Sequence, residues 1–320
     1  MSRSDREKYK RRHAFMRTLG WYLFIPFMRL LYVLPLSFEL AAAPVLGYLV
    51  YLLNRRLVKR ACNNLKMALG EKYSHPERKR IVRDYYINAV RCLFEFIHFK
   101  SMGSGYVRDV VHAPGFVEKV NEIREAGKGC ILISGHVNNW ELMGAFVALH
   151  WPTSVVGKRI YFDKFNEAVV SARESRGYHT IYQDEPPRKL LGALRKNEIV
   201  GIVPDQDVAR INGTFVDFFG TPAFTPTAPV SMARVSGAPV LVIFLIRRGS
   251  AHRMIFFEPF HVPRDGDKDA VINEFTARWV AMEEEVIRRW PAQWPWIHRR
   301  WKTRPEGESP ESRVPGPGSL

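Results

Sequence analysis

Apolar residues run almost unbroken from Leu19 to Leu53, with Arg29 and Glu39 as the only charges. About 20 such residues suffice to cross a bilayer, and the piece from Leu30 to Leu53 meets that length. Pro26, Pro35 and Pro44 interrupt the stretch. It is too long for a cleaved signal peptide and lacks a small-residue cleavage site. Basic residues flank it on both sides, from Arg3, Lys10 and Arg17 before it to Arg55, Arg56, Lys59 and Arg60 after it. A single span shows a one-sided bias, so the flanks suit a re-entrant or in-plane hairpin better than a full crossing. A pair of proline-broken core helices is the third reading.

Beyond this stretch the periodicity changes. Ser74 and Glu77 stand at capping-box spacing ahead of a helix predicted to about Phe99. From Gly127 short β-branched runs alternate with helical stretches. Strands are predicted at Cys130 to Ser134, Thr153 to Val156, Ile199 to Val203, Val240 to Ile246 and Met254 to Glu258. Helices are predicted at Trp140 to Leu149, Lys164 to Arg176, Arg188 to Lys196, Pro226 to Val235 and Ala270 to Trp290. The alternation predicts an α/β fold: a central, mostly parallel or mixed sheet flanked by helices, with an N-terminal membrane-embedded helical segment. The residues after Arg304 are rich in Pro, Gly, Ser and Glu, a disorder composition. The chain therefore divides into a basic arm (1–18), a membrane-embedded or re-entrant segment (19–60), an α/β domain (61–304) and a disordered tail (305–320).

Composition narrows this picture. With 46% hydrophobic and 12% aromatic residues, the 320-residue chain can bury a sizeable core, which excludes disordered and fibrous classes. Cys62, Cys92 and Cys130 form no CxxC pair, so neither a disulfide framework nor a structural zinc is indicated, and a reducing, cytosol-facing location is the simpler reading. The net charge of +16 implies an anionic partner: nucleic acid, a membrane surface or an acidic substrate.

The sharpest local signal is GKGCILISGHVNNWELMG. His136 would stand at a strand's carboxyl end, where open α/β sheets place ligands. Glu141 lies five residues on, about 140° away in one continuous helix. If His136 sits in the turn and Asn138 or Asn139 caps the helix, Glu141 falls in the first turn and can fold back to one ring nitrogen, leaving the other as a general base. As a bare spacing this is weak, and a satisfied structural histidine is the commoner outcome. Cys130 reads as a buried, inert thiol, and the chain has no GxSxG elbow, phosphate loop or HExxH site. His136 and Glu141 would then act directly on a bound hydroxyl, without an acyl-enzyme, cofactor or metal.

Four ordered blocks carry a resemblance. They are His136-Val137-Asn138-Asn139-Trp140-Glu141; Arg159 with Arg173 to Gly177; Phe218-Phe219-Gly220-Thr221-Pro222-Ala223-Phe224-Thr225; and Pro291, Gln293, Trp296, His298, Arg299, Arg300 and Trp301. Together they resemble the lipid A late acyltransferases, a branch of the lysophospholipid acyltransferase superfamily, over roughly residues 20 to 304. The resemblance implies that His136 is the base and Glu141 its orienter, and that Asn139, Arg159, Asp205, Gln206, Gly220, Thr221 and Pro222 contribute to substrate binding. Arg159 would hold an anionic group, with a surface ion pair as the alternative. Asp205 and Gln206 would line the site, or Asp205 would cap the next turn. Thr225 or Thr227 would cap the helix containing Pro226. Asn138 stands where the family has Gly, and Asn tolerates a left-handed backbone. The Asn expected soon after Arg159 is replaced by Phe162 and Asp163.

By this resemblance the chain would take a fatty acyl group from acyl carrier protein or acyl-CoA and esterify a phosphorylated glycolipid, at the cytoplasmic face of a bacterial inner membrane. Its basic ends would favour an anionic leaflet. Nucleic acid is set aside, because no recognition module accompanies Trp294, Trp296 and Trp301. The alternatives are acyl-CoA-dependent acylation of another glycolipid or lysophospholipid, such as a phosphoinositide mannoside, and a catalytically dead membrane scaffold.

Overall fold

The structure is a computed structural model that describes residues 31–305. The expected basic arm, the apolar stretch before Leu31 and residues 306–320 of the expected tail lie outside the described residues.

The first full helix, α1 (Leu36–Leu53), is the one described helix long and apolar enough to cross a membrane, and only 17% of it is buried. Its inner face lies along α3 (His75–Ile97), where Gly47 lets the two backbones approach: a Cβ there would come within 2.5 Å of Ile87 Cα. Val33, Phe38, Val45 and Leu53 point outward and are mostly exposed. Between these helices, α2 (Arg55–Leu69) buries Val58, Ala61, Cys62, Leu65, Ala68 and Leu69, a 3.6-residue stripe, in the main core. Residue 60 lies inside this helix. The capping box forms: Ser74 N–H donates to Glu77 Oε2 at 2.7 Å, and Glu77 N–H reaches Ser74 Oγ at 3.5 Å.

Residues 104–289 build the α/β layers. In chain order these are α4 (Ser104–Val110), β1 (Val111–His112), α5 (Phe116–Arg124), β2 (Cys130–Ile133), α6 (Trp140–Ala148), β3 (Thr153–Gly157), α7 (Asp163–Glu174), β4 (Tyr178–Tyr182), α8 (Arg188–Arg195), β5 (Ile199–Ile202), β6 (Gly213–Asp217), β7 (Pro222–Pro226), α9 (Ala228–Ser236), β8 (Val240–Arg248), β9 (Ala251–Phe256) and α10 (Lys268–Arg289). Seven strands form one sheet in the order β1-β9-β8-β2-β5-β3-β4, parallel from β8 to β4, with β9 antiparallel to β8. Along β8, Val242, Phe244 and Ile246 face α2, α9 and α10, while Leu241, Ile243 and Leu245 face α5 and α6. Both faces are covered, which is why this strand reads as a continuous apolar run.

All five predicted strands are present, with β9 beginning three residues early at Ala251. The short edge strand β1, the edge strand β4 and the β6–β7 hairpin escaped the periodicity, since none offers a long β-branched run. The helix expected from Pro226 begins at Ala228 instead, because Pro226 ends β7. Thr227 is the N-cap residue but gives no side-chain cap bond, its hydroxyl turning to Asn212 O, while Thr225 donates to Ala223 O and accepts from Arg300.

Candidate active site

Strands β2 and β5 are parallel neighbours, with Ile133 opposite Ile202. Three residues past each of these positions the chain delivers His136 and Asp205, so their meeting follows from register. His136 Nδ1 lies 2.5 Å from Asp205 Oδ1. The other carboxylate oxygen accepts from the His136 backbone N–H at 2.8 Å and from the Trp294 indole at 3.2 Å. With its Nδ1–H held by Asp205, His136 presents Nε2 as the lone-pair nitrogen, 3.2 Å from the Gln206 side-chain nitrogen. Burial would lower the imidazole's pKa, but the charge of Asp205, its hydrogen bond and the more distant Glu141 outweigh burial and raise it above 6.5. Asp205 is itself fully buried, which opposes ionisation, yet the His136 contacts hold it well below the ordinary carboxylate range. The His298 ring packs 5.6 Å away, and burial together with the cationic neighbours pushes its pKa down to about 4, so it is neutral at pH 7.

The carboxylate bonded to the His136 ring is that of Asp205 and not Glu141. Glu141 does sit in the first turn of α6, with Asn139 as the N-cap. Its carboxylate, however, is gripped by Arg173 through Nη2 at 2.6 Å and Nε at 3.0 Å, and accepts from the Tyr178 hydroxyl at 2.8 Å. A bidentate guanidinium is a stronger partner than one imidazole N–H. The neighbouring strand meanwhile supplies another carboxylate to the ring.

The turn between strand and helix is held from below. Asn138 adopts φ +46°, in the left-handed region, and its backbone N–H donates to Gln293 O at 2.7 Å. Its side-chain nitrogen lies 3.1 Å from His252 Nδ1. Asn139 caps α6 by accepting from Leu142 N–H at 2.9 Å and donates to Glu95 at 2.7 Å, and it also lines the cavity beside His136. Glu95, buried in α3, also accepts from Arg247 at 2.6 Å and contacts His252 at 3.1 Å. Burial would raise its pKa, but these partners prevail and bring it to about 2.

His136 opens onto a cavity of about 400 Å³, within the range of small-molecule sites. One wall is the face of α3 carrying Tyr85, Ala89, Cys92, Leu93 and Phe96; the Glu141–Arg173 pair stands in the same cavity. Arg159 lies outside this lining: its guanidinium covers the Tyr182 ring at 3.9 Å and stands 3.7 Å from Asp184, about half exposed. Gly220, Thr221 and Pro222 make the turn into β7, with Gly220 at φ +72° donating to Asp217 at 2.7 Å, and they do not line the cavity either. Among the described residues no three His, Cys, Asp or Glu side chains gather as metal ligands. Sequence reasoning did not foresee Asp205 as the base's partner, although its equal offset past a parallel strand carries that signal once β2 and β5 are paired.

A family model described as bacterial lipid A biosynthesis acyltransferase matches residues 6–303. The lipid A biosynthesis palmitoleoyltransferase of Escherichia coli is 30% identical over 199 residues, 60% of this chain and 63% of that protein. The lipid A biosynthesis lauroyltransferase of the same species is 27% identical over 277 residues, 82% of this chain and 84% of its own length. A phosphatidylinositol mannoside acyltransferase of Mycobacterium tuberculosis is 26% identical over 192 residues, 58% of this chain and 59% of that protein. The chain thus spans less than two thirds of the palmitoleoyltransferase and more than four fifths of the lauroyltransferase.

Proposed function

This chain belongs to the bacterial lipid A biosynthesis acyltransferase family, and we propose that it is a membrane-associated acyltransferase moving a fatty acyl chain from an acyl carrier protein thioester to a hydroxyl of a lipid A precursor. The observation that carries this reading is the His136–Asp205 pair at the mouth of an apolar-walled cavity. The acceptor hydroxyl replaces the Gln206 amide on His136 Nε2 and gives up its proton there as its oxygen attacks the thioester carbonyl. The imidazolium formed is held by Asp205. The tetrahedral intermediate collapses with loss of the thiolate, which takes the proton back from Nε2 and leaves as thiol. No acyl-enzyme forms. The acyl chain lies along the α3 face of Tyr85, Ala89, Leu93 and Phe96. Glu141 keeps Arg173 in place and adds to the field that favours the imidazolium. Arg159, half exposed beyond β3, is the group proposed to meet a phosphate of donor or acceptor.

Location follows the same reasoning. The outward apolar face of α1, with Arg55, Arg56, Lys59 and Arg60 next to it, suits the cytoplasmic leaflet of the inner membrane. The test is purified full-length protein offered acyl carrier protein and coenzyme A thioesters against lipid A precursors, phosphoinositide mannosides and lysophospholipids, read by mass spectrometry. Acylation of the lipid A precursor from the carrier protein, lost by about 10³-fold or more in His136→Ala, is the expected result. Turnover only with acyl-CoA and a phosphoinositide mannoside would transfer the chemistry to the acceptor named for the mycobacterial relative. No acylation of any acceptor would leave a membrane scaffold.

A further inference from the structure

Behind the catalytic pair lies a second carboxyl group that the reaction does not touch. Glu283, on the inward face of α10, is completely buried, and neither of its oxygens has a donor within hydrogen-bonding distance. Asp205 is the carboxylate that faces it, and the Trp294 indole, which donates to Asp205, stands beside both. Gly135, the residue before the base, is the gap that admits both: a Cβ there would collide with Glu283 Oε1 and lie 3.2 Å from Asp205 Oδ2. Two buried carboxyl groups in contact cannot both be ionised and remain unpaired. Asp205 already accepts three hydrogen bonds, from His136 Nδ1–H, the His136 backbone and Trp294. Glu283 accepts none. The shared proton therefore belongs on Glu283.

We propose that Glu283 is a positioning residue of the acyl-transfer site, a neutral carboxylic acid whose O–H donates to Asp205 and completes the set of donors that fixes Asp205 against His136. The inference rests on the acyl-transfer reading for its catalytic consequence but not for the proton itself. The groups facing Glu283 are Asp205 from the loop after β5, and Arg300 and the Trp294 indole from the C-terminal segment; Gly135 faces it from the turn after β2. Arg300 feels Glu283 more than Asp205 or Asp207, but it makes no hydrogen bond to it: its Nη1 and Nη2 donate to Phe224 O and Thr225 Oγ1, and its Nε has no partner. Burial and Asp205 together outweigh Arg300 and the indole, and hold the acid well above the usual carboxylate range. With its proton in place, Glu283 spreads the charge of Asp205 over a fourth donor and tempers how far Asp205 raises the imidazole.

Two variants test this in the full-length protein. A carboxyl group whose folded pKa is raised contributes stability fully below its unfolded value of 4.5 and loses it as pH climbs toward the folded one. Glu283→Gln keeps a donor without that penalty, so its melting temperature should exceed the wild type's only slightly at pH 5, just above the unfolded value, and by roughly 2 to 4 °C at pH 8. A Gln variant that melts below the wild type, by more at pH 8 than at pH 5, would mean an ionised Glu283 and overturn the proposal. In acyl transfer, Gln should stay within about threefold of the wild type with the same acidic limb in its pH profile, while Glu283→Ala should lose about tenfold in kcat/KM with that limb moved upward. Equal loss in both variants, with unshifted limbs, would reduce Glu283 to a packing residue. A wild-type protein that transfers no acyl group would fail the functional reading alone, since the melting series decides the proton without it.

Discussion

Glu95 and Glu283 are both completely buried glutamates that meet the two ends of one turn, Glu95 at Asn139 and Glu283 at Gly135, and their surroundings differ. Glu95 has Arg247, His252 and Asn139 as partners and is an anion. Glu283 faces Asp205, with Arg300 and the Trp294 indole nearby, and neither of its oxygens accepts a hydrogen bond. Burial pushes both pKa values upward; what decides the outcome is whether the sheet supplies donors or a second carboxylate. The first arrangement fixes the backbone of the turn. The second tunes the base that the turn presents, so the site couples a structural anion to a catalytic one through five residues of chain.

The largest effect expected from this contrast falls on the carboxylate between the two. Asp205→Asn keeps the shape but cannot stabilise an imidazolium, and its amide can hold the wrong tautomer. The loss in kcat should be about 10³- to 10⁴-fold, with a native circular dichroism spectrum. If Glu141 were the working partner of His136, Asp205→Asn would cost less than tenfold and Glu141→Gln would carry the large loss. Next in size is Glu95→Ala, which leaves Arg247 buried without its counter-charge. It should destabilise by about 3 to 5 kcal/mol in denaturant unfolding, in contrast to the gain expected for Glu283→Gln at neutral pH.

Acid titration separates the two glutamates by a different route. Glu95 carries a folded pKa of about 2 against 4.5 in the unfolded chain, so its contribution is complete above pH 4.5 and disappears as pH falls through 2. That shift corresponds to about 3 kcal/mol. Urea unfolding of the wild type and Glu95→Gln at pH 7, 4 and 3 should show the gap between them closing as the solution becomes more acid. A gap that stays constant would mean Glu95 is not ionised in the fold.

How far such a site can be read without coordinates depends on which interactions are local. The GHVNNWE turn, the strand before it and the Asn139 cap all depend on neighbours within a few residues, and His136 stood out for that reason. Asp205 was visible only as a residue past a strand, because its pairing with His136 depends on which strands adjoin. Glu283 was hidden among Glu283, Glu284 and Glu285, which together look like a solvent face. Only Glu285 is that, half exposed and paired with Arg289; Glu284 is mostly covered, pairing with Arg288 and accepting from the Phe219 N–H. Glu283 instead continues the buried stripe of Ile272, Thr276, Trp279, Val286 and Ile287, a position that helical spacing does mark. Arg159, Gly220, Thr221 and Pro222 are placed in the site by resemblance, and that they do not line this cavity is a tertiary fact that no local pattern encodes.

The smallest expected effect concerns the turn that both glutamates serve. Asn138 holds a left-handed backbone that costs an L-residue about 1 to 2 kcal/mol, and its side chain gives His252 Nδ1 a partner. Asn138→Gly removes the strain but leaves that buried nitrogen unpaired, at about 1 to 3 kcal/mol. The two nearly cancel, and the variant should unfold within about 1 kcal/mol of the wild type. Asn138→Ala keeps the strain and loses the partner, so it should be the less stable of the two by about 1 kcal/mol or more. Alanine matching or exceeding glycine here would show that the side-chain contacts, and not the backbone angle, select asparagine.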